Sequence, residues 1–200
     1  KKVVSVVTDA QREAAELMLH ARKIVAINKS SSRDVMTEYD ARVQQHLIER
    51  LSQAFPGAHF FCEEKNEQQS LDSDMLFIID PIDGTMNFMH GHNHSCISVG
   101  YAEKNEMMAG CVYDPYMDEM FTAIKGEGAY LNGVRTHVDD CPLKETVVCC
   151  GTAPYQPELA DTTFSLMKKA FLNSLDIRRG ASAALDLCFV AAGRAGLYEE

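Results

Sequence analysis

The chain has 200 residues, 46% hydrophobic and 24% charged, a balance that fits a globular protein with a real apolar core in one large domain or two smaller ones. A formal charge of -10 argues against nucleic acid as a primary partner, because backbone affinity comes mainly from Lys and Arg releasing counterions. The 7 cysteines are odd in number and form no C-x-x-C pair, which suits reduced thiols in the cytoplasm; no apolar run reaches the roughly 18 residues that span a membrane, and the N-terminus lacks a secretion h-region.

Apolar residues at helical spacing (Val7, Ala14, Leu17, Met18, Ala21, Ile24, Val25) predict one amphipathic helix from about Val6 to Ile27. Lys29-Ser30-Ser31-Ser32-Arg33-Asp34 is loop chemistry, and Val35 to Asp40 is ambiguous. A second helix begins near Ala41, with Ile48, Leu51 and Phe55 on the core, and ends at Pro56-Gly57. Ala58–Cys62 reads as a short strand that delivers Glu63 and Glu64 at its end, and the polar segment through Asp74 reads as a mobile surface loop. Met75-Leu76-Phe77-Ile78-Ile79 is a buried strand.

Ser95–Tyr101, Met107–Tyr113 and Glu119–Ile124 predict an antiparallel meander, and Asn132-Gly133 a tight hairpin. Leu143–Cys150 is read as a strand, Glu158–Asn173 as a helix, and the tail as strand (Leu175–Arg178), helix (Ser182–Ala192), strand (Gly196–Tyr198). The class is α/β in two parts. Residues 1–145 form an α+β half with two helices, the meander and the metal site; residues 146–200 form an α/β half, incomplete as it stands.

The chemistry concentrates in Asp80-Pro81-Ile82-Asp83-Gly84-Thr85. Pro81 holds Asp80 extended, while Asp83, Gly84 and Thr85 can turn the chain and cap a short helix. Two carboxylates, the Ile82 carbonyl and free N–H groups would then share one small volume. Hard cations such as Mg²⁺ want oxygen ligands and phosphate favours a helix N-terminus, so one turn could hold both.

This stretch, continued by Met86-Asn87-Phe88, resembles the signature of the inositol monophosphatase family of Mg²⁺-dependent phosphomonoesterases. Cys62-Glu63-Glu64 is similar to the family's Gly-Glu-Glu element, and the likeness extends to Lys29 with Asp34 and Asp40, to Gly126–Gly133, and to Ala181–Asp186 with Gly193 and Glu199. The resemblance implies a layered αβαβα sandwich of the inositol monophosphatase and fructose-1,6-bisphosphatase type. It implies that Glu63, Asp80, the Ile82 carbonyl and Asp83 hold two or three Mg²⁺ ions, with Mn²⁺ as a substitute, and that Asp80 bridges two of them. Thr85, paired with Asp40, would help activate a water. Gly84 and Thr85 N–H groups would hold phosphate, with Asp83 beside them, while Ser182, Ala183 and Glu199 would line the side that receives the alcohol. Such chemistry suits a phosphate monoester, whose dianion repels hydroxide until charge is neutralised.

Inositol 1-phosphate or a related polyol or sugar phosphate is the implied substrate, in a lithium-sensitive, homodimeric family. Asn87-Phe88 resembles the inositol phosphatase branch rather than the nucleotidase branch, where Lys-Glu-Phe is common; 3′-phosphonucleotides and fructose 1,6-bisphosphate are the alternatives, and a noncatalytic regulatory protein is the rival class. The chain also departs from the family. Cys62 and Ala181 stand where the family has glycine, and the chain holds no Trp, so the Trp-Asp element with the third metal-binding aspartate is missing. The chain, from Lys1 to Glu200, therefore reads as part of a longer protein that supplies it.

Other readings stay open. Asp40 could simply cap the second helix, and Lys29 could touch phosphate or simply occupy its loop. His90, His92 and His94 would share one face on a strand and could bind a transition metal, or be loop residues. Cys149-Cys150 reads as core strand packing.

Overall fold

Helix α1 (Lys2–Leu19) follows the apolar periodicity and buries Val7, Ala14 and Met18 on one face, together with Gln11. The structure is a computed structural model that describes the chain except residues 32, 33, 65–70 and 72 and the side chains of 30, 31 and 34. The helix stops well short of Ile27. His20 caps it by donating its N–H to the carbonyls of Glu16 and Met18, and Lys23 takes a left-handed φ of 54°, which no helix continues. Ala21 and Ile24 still pack on the core from the turn.

The segment expected as a loop contains a small antiparallel ribbon instead, β1 (Ile27–Ser31) with β2 (Asp34–Met36), in register Ile27 to Met36 and Asn28 to Val35. Its polar residues carry no alternation, so the pairing rests on backbone hydrogen bonds that composition does not report. Helix α2 (Glu38–Ala54) starts before Ala41 because Thr37 and Asp40 form a capping box; Val43, Leu47 and Leu51 are fully buried.

Strand β3 (His59–Cys62) runs parallel to β4 (Met75–Asp83), Phe60 opposite Phe77 and Cys62 opposite Ile79. The reading of the intervening segment as a surface loop falls largely on 65–70 and 72, outside the described residues. β4 does not end at Ile79: Asp80 still pairs with Ser98, and the register slips between Asp80 and Asp83. Pro81, which lacks an N–H, sits in that irregularity, where a missing ladder donor is tolerated. After α3 (Thr85–His90) come β5 (Cys96–Glu103), β6 (Glu106–Asp114), β7 (Glu119–Ile124), β8 (Gly128–Leu131) and β9 (Val134–Thr136), the predicted meander. Asn132 and Gly133, both at positive φ, make the predicted hairpin turn.

Seven strands form one sheet in the order β3-β4-β5-β6-β7-β8-β9. A second sheet of 3 parallel strands has the order β11-β10-β12, from β10 (Val147–Cys150), β11 (Asp176–Arg178) and β12 (Leu197–Glu199), with α4 (Ala160–Asn173) and α5 (Ala183–Ala191) as crossovers. Leu143–Glu145, expected to begin a strand, is a 3-10 turn, and Pro157–Leu159 is another that precedes α4. Helices α1 and α2 cover one face of the large sheet; α5 packs against β5, β6 and β12; α4 covers β10 and β11. The layering is the expected α/β/α/β/α. Phe77, fully buried, anchors the outer core with ring centroids 5.6 Å from Phe55, 5.8 Å from Phe60 and 5.0 Å from Tyr101. Cys149 and Cys150 are buried in β10, as core packing requires.

Candidate active site

Parallel pairing of β3 and β4 brings their carboxyl ends to the same edge, where Glu63 N–H donates to the Ile79 carbonyl at 3.0 Å. Glu63 thereby stands beside Asp80. Gln44 on α2 donates to the Glu64 carbonyl at 3.0 Å and fixes that strand end. The Asp80 carboxyl lies well above the usual carboxylate range, because burial penalises its charge and the charges of Glu63, Asp83 and Asp40 add to the penalty. Its Oδ1 is shielded from solvent and has no hydrogen-bond partner.

Asp83 does not cap α3. Gly84 occupies that position with φ 87°, and a side chain there would meet the His94 carbonyl at 3.1 Å and the Ala181 carbonyl at 3.2 Å, so both conformation and space demand glycine. Asp83 is held instead from the start of α5: Ser182 Oγ donates to its Oδ2 at 2.6 Å and Ala184 N–H at 2.8 Å, with the Cys96 thiol at 3.8 Å. Burial raises its pKa and these donors partly offset that rise. Asn87 ties the two turns together, its amide donating to the carbonyls of His94 (2.7 Å) and Gly180 (2.8 Å).

Thr85 Oγ1 lies 3.0 Å from the Ile82 carbonyl and 3.3 Å from Asp40 Oδ1. The two carboxylate oxygens of Asp40 face different partners. Its Oδ2 accepts from Thr37 N–H at 2.7 Å and Thr37 Oγ1 at 2.5 Å, capping α2, while Oδ1 faces Thr85. Asp40 is fully buried, which raises its pKa against the pull of these hydrogen bonds. Lys29 Nζ makes ion pairs with Glu63 Oε1 at 3.0 Å and Glu64 Oε1 at 2.6 Å; burial works against its charge, and the two acids more than compensate, pushing its pKa up to about 12. Asp34, grouped with Lys29 and Asp40 in the sequence reading, has a side chain outside the described residues.

The carboxyl ends of β3, β4, β10, β11 and β12 meet around one cleft of about 180 Å³. Glu63, Asp80, Ile82, Asp83, Gly84, Thr85, Ser182 and Ala183 all line it, as the sequence led one to expect. Asp40, Lys29 and Glu199 do not. Side chains alternate along β12, so Tyr198 and Glu200 face the cleft while the Glu199 carboxylate turns to the Cys150 thiol at 3.6 Å. Asp186, which ends the Ala181–Asp186 stretch of the family likeness, also lines it, as do Arg179 and Tyr155, which no local pattern marks. The three histidines do not form a strand face: His90 ends α3, His92 and His94 lie in the turn after it, and His90 and His92 ring centroids are 6.3 Å apart.

Among the described residues no group of three His, Cys, Asp or Glu closes round one position as a ready metal cage, and Glu63 is engaged by Lys29. The donor set still fits a hard cation. It is all oxygen, it gathers acids whose mutual repulsion raises Asp80, and it leaves one shielded carboxylate oxygen unpartnered.

The chain belongs to the inositol monophosphatase family, whose model matches residues 1–200. It is 37% identical over 180 residues to Nus factor SuhB of Haemophilus influenzae, covering 90% of this chain and 67% of that protein, and 32% identical to inositol monophosphatase 2 of Solanum lycopersicum, covering 100% of this chain and 78% of that one. Among solved structures it is similar to the extragenic suppressor protein suhB of Bartonella henselae (TM-score 0.92, 31% identity, 100% of this chain, 79% of that one). It is also similar to an IMPase/NADP phosphatase described as complexed with Mg²⁺ and phosphate (TM-score 0.79, 25% identity, 98% and 71%).

Proposed function

We propose that the chain is the catalytic part of a Mg²⁺-dependent phosphomonoesterase that hydrolyses inositol 1-phosphate or a related small polyol or sugar phosphate. The observation that carries this reading is the convergence of Glu63, Asp80 and Asp83 with the Gly84-Thr85 turn in one cleft. Glu63, Asp80, Asp83 and the Ile82 carbonyl would hold two or three Mg²⁺ ions, or Mn²⁺ in their place, and bound cations would supply the charge that lets a water attack a dianionic ester.

The protein's own groups do the rest. Gly84 and Thr85 N–H groups receive phosphate oxygens, with Asp83 held beside them by Ser182 and Ala184. Thr85 Oγ1 takes the proton of the attacking water and relays it toward Asp40 Oδ1, 3.3 Å away, which Thr37 keeps in place. The new P–O bond forms from that water, the ester P–O bond breaks, and the leaving alkoxide takes a proton from solvent in the open cleft, while the proton passed toward Asp40 returns to solvent. Lys29 balances Glu63 and Glu64 at the rim. Ser182 and Ala183 wall the alcohol side, where Glu200 rather than Glu199 lines the cleft, its carboxylate accepting from Ala153 N–H at 3.2 Å and Tyr198 OH at 2.5 Å. Homodimerisation, a cytoplasmic place, a nonmembrane habit and the division into residues 1–145 and 146–200 belong to the same reading; no helix among the described residues is long and apolar enough to cross a membrane. The surplus of acid leaves nucleic acid outside its primary partners.

Phosphate release from inositol 1-phosphate by the full-length protein, with and without Mg²⁺, tests the reading. Activity should require the cation and fall at least about a hundredfold in Asp83→Asn; equal rates in parent and variant would sink the assignment. The relatives named Nus factor SuhB support a second reading, a protein factor that keeps the fold and needs no turnover. Under it, Asp83→Asn would leave the cellular role intact.

A further inference from the structure

Five acids line the cleft, Glu63, Asp80, Asp83, Asp186 and Glu200, against one cationic side chain, Arg179. Glu63, Asp80 and Asp83 are accounted for by the phosphate end, and Glu200 and Asp186 suit hydroxyl donors. The guanidinium acts on Asp186 as a nearby charge that opposes the burial-driven rise of its pKa, but no ion pair joins the two. Its Nε (3.1 Å) and Nη2 (2.6 Å) both donate to Thr152 Oγ1, which sets the plane of the group, while Nη1 has no hydrogen-bond partner among the described residues. Arg179 forms no ion pair among the described residues, as Arg22, Arg42 and Arg135 form none, whereas Arg12, Arg50, Arg178 and Arg194 do. An oriented guanidinium with a free edge in an open cleft matches a carboxylate or phosphate, which its planar fork can grip in two places.

Its place in the chain sets the reach. Arg179 is two residues before Ala181, whose carbonyl closes on the Gly84 turn, so at most about 7 Å of backbone separates the anchor of the guanidinium from the phosphate end. The Arg side chain and the turn therefore share one cleft, short enough for a small molecule esterified at the turn to reach the guanidinium with a second group.

We infer that Arg179 selects phosphate monoesters whose alcohol carries a second anionic group, a carboxylate or a further phosphate. This inference rests on the phosphatase reading and narrows its substrate class. Thr152 is the positioning residue that holds the guanidinium in plane.

Matched substrates isolate the second anionic group. Glucitol 6-phosphate and gluconate 6-phosphate differ by one terminal carboxylate, and mannitol 1-phosphate and mannitol 1,6-bisphosphate by one terminal phosphate. With the full-length protein and Mg²⁺, KM for at least one of the doubly anionic members should be lower than for its neutral partner. Arg179→Gln should raise that KM about tenfold or more, leave kcat within about twofold, and leave both neutral substrates within about twofold; Arg179→Lys should recover part of the loss, and Thr152→Val should show a smaller loss of the same selectivity. The larger response between carboxylate and phosphate identifies the group. An equal loss on all four substrates would place Arg179 on the common phosphate, and no loss on any would remove it from recognition; either outcome overturns the inference. Calorimetric binding of the same four compounds keeps the two readings separable. If neither member of a pair is turned over, the phosphatase reading fails, while a preference for the doubly anionic member that Arg179→Gln abolishes would still uphold Arg179 as an anion selector, and its absence would refute it.

Discussion

Ser182 Oγ donates to Asp83 Oδ2 at 2.6 Å across 99 residues of sequence, so the second half of the chain holds an acid that the first half supplies. The same α5 start gives Asp83 the Ala184 N–H, which a helix N-terminus leaves free. Ser182→Ala removes the shorter of these two bonds from a fully buried donor. It should cost about 1–2 kcal/mol in urea unfolding and reduce phosphate release, with Mg²⁺ recovering part of the lost stability. A variant as stable as the parent would show that α5 is not what holds Asp83.

Gly84 and Gly133 form an internal comparison. Both have positive φ, 87° and 79°, yet only at Gly84 would a side chain meet backbone carbonyls; nothing lies within 4 Å at Gly133. Gly84→Ala should therefore cost about 2–3 kcal/mol and abolish activity, while Gly133→Ala should cost about 1 kcal/mol and leave turnover unchanged. Equal unfolding midpoints for the two variants would contradict the close approach of the Ala181 loop.

Thr37 serves helix and site together, since its N–H and hydroxyl both reach Asp40. Thr37→Ala should lower stability by about 1–2 kcal/mol as a lost helix cap. It should also lower kcat more than it raises KM, because Asp40 no longer stands fixed opposite Thr85. Thr37→Ser, which keeps the hydroxyl, should restore both; circular dichroism melts and steady-state kinetics on the three proteins decide it.

Asp114 gives a pH signature remote from the acids of the β4 turn. It is 1% exposed and accepts from the N–H groups of Tyr116 (2.9 Å) and Met117 (3.2 Å). Burial raises its pKa above the usual carboxylate value, with those two donors opposing. The folded state thus holds the proton more tightly than the unfolded one. Its contribution to stability is fully present below the unfolded pKa, near 3.8, and is lost as pH rises through the higher folded value. The stability of the parent relative to Asp114→Asn should accordingly fall with rising pH across that window and flatten above it. A difference independent of pH in urea titrations would refute the assignment.

Elements with a hydrophobic period were legible in the chain alone. The meander from β5 to β7, the Asn132-Gly133 hairpin and the three-strand tail follow from alternation and turn residues, because those signals act over a few neighbouring residues. The β1–β2 ribbon was not legible, since polar strands carry no alternation and pair only through backbone groups. Helix α1 overran in the reading because Ala21 and Ile24 remain apolar to serve the core from a turn. At the site, Asp80, Asp83 and Thr85 stand out as a cluster and Asp186 belongs to a stretch that carries the family likeness, but Arg179 and Glu200 do not stand out, for each is ordinary in its own stretch.

Asp80–Thr85 and Glu63 announce an oxygen-rich site through residue type and order, and the family likeness follows from the same letters. Sequence could not assign which atom each acid turns to. That Asp83 is held by Ser182 instead of capping α3, that Glu200 and not Glu199 faces the cleft, and that Arg179 stands opposite the acids are set by three parallel strands docking their carboxyl ends beside β4. The reason is physical: local propensity acts over a turn or a strand, whereas a site between two sheets is made by the packing of α5 between them, which joins residues that lie about a hundred positions apart.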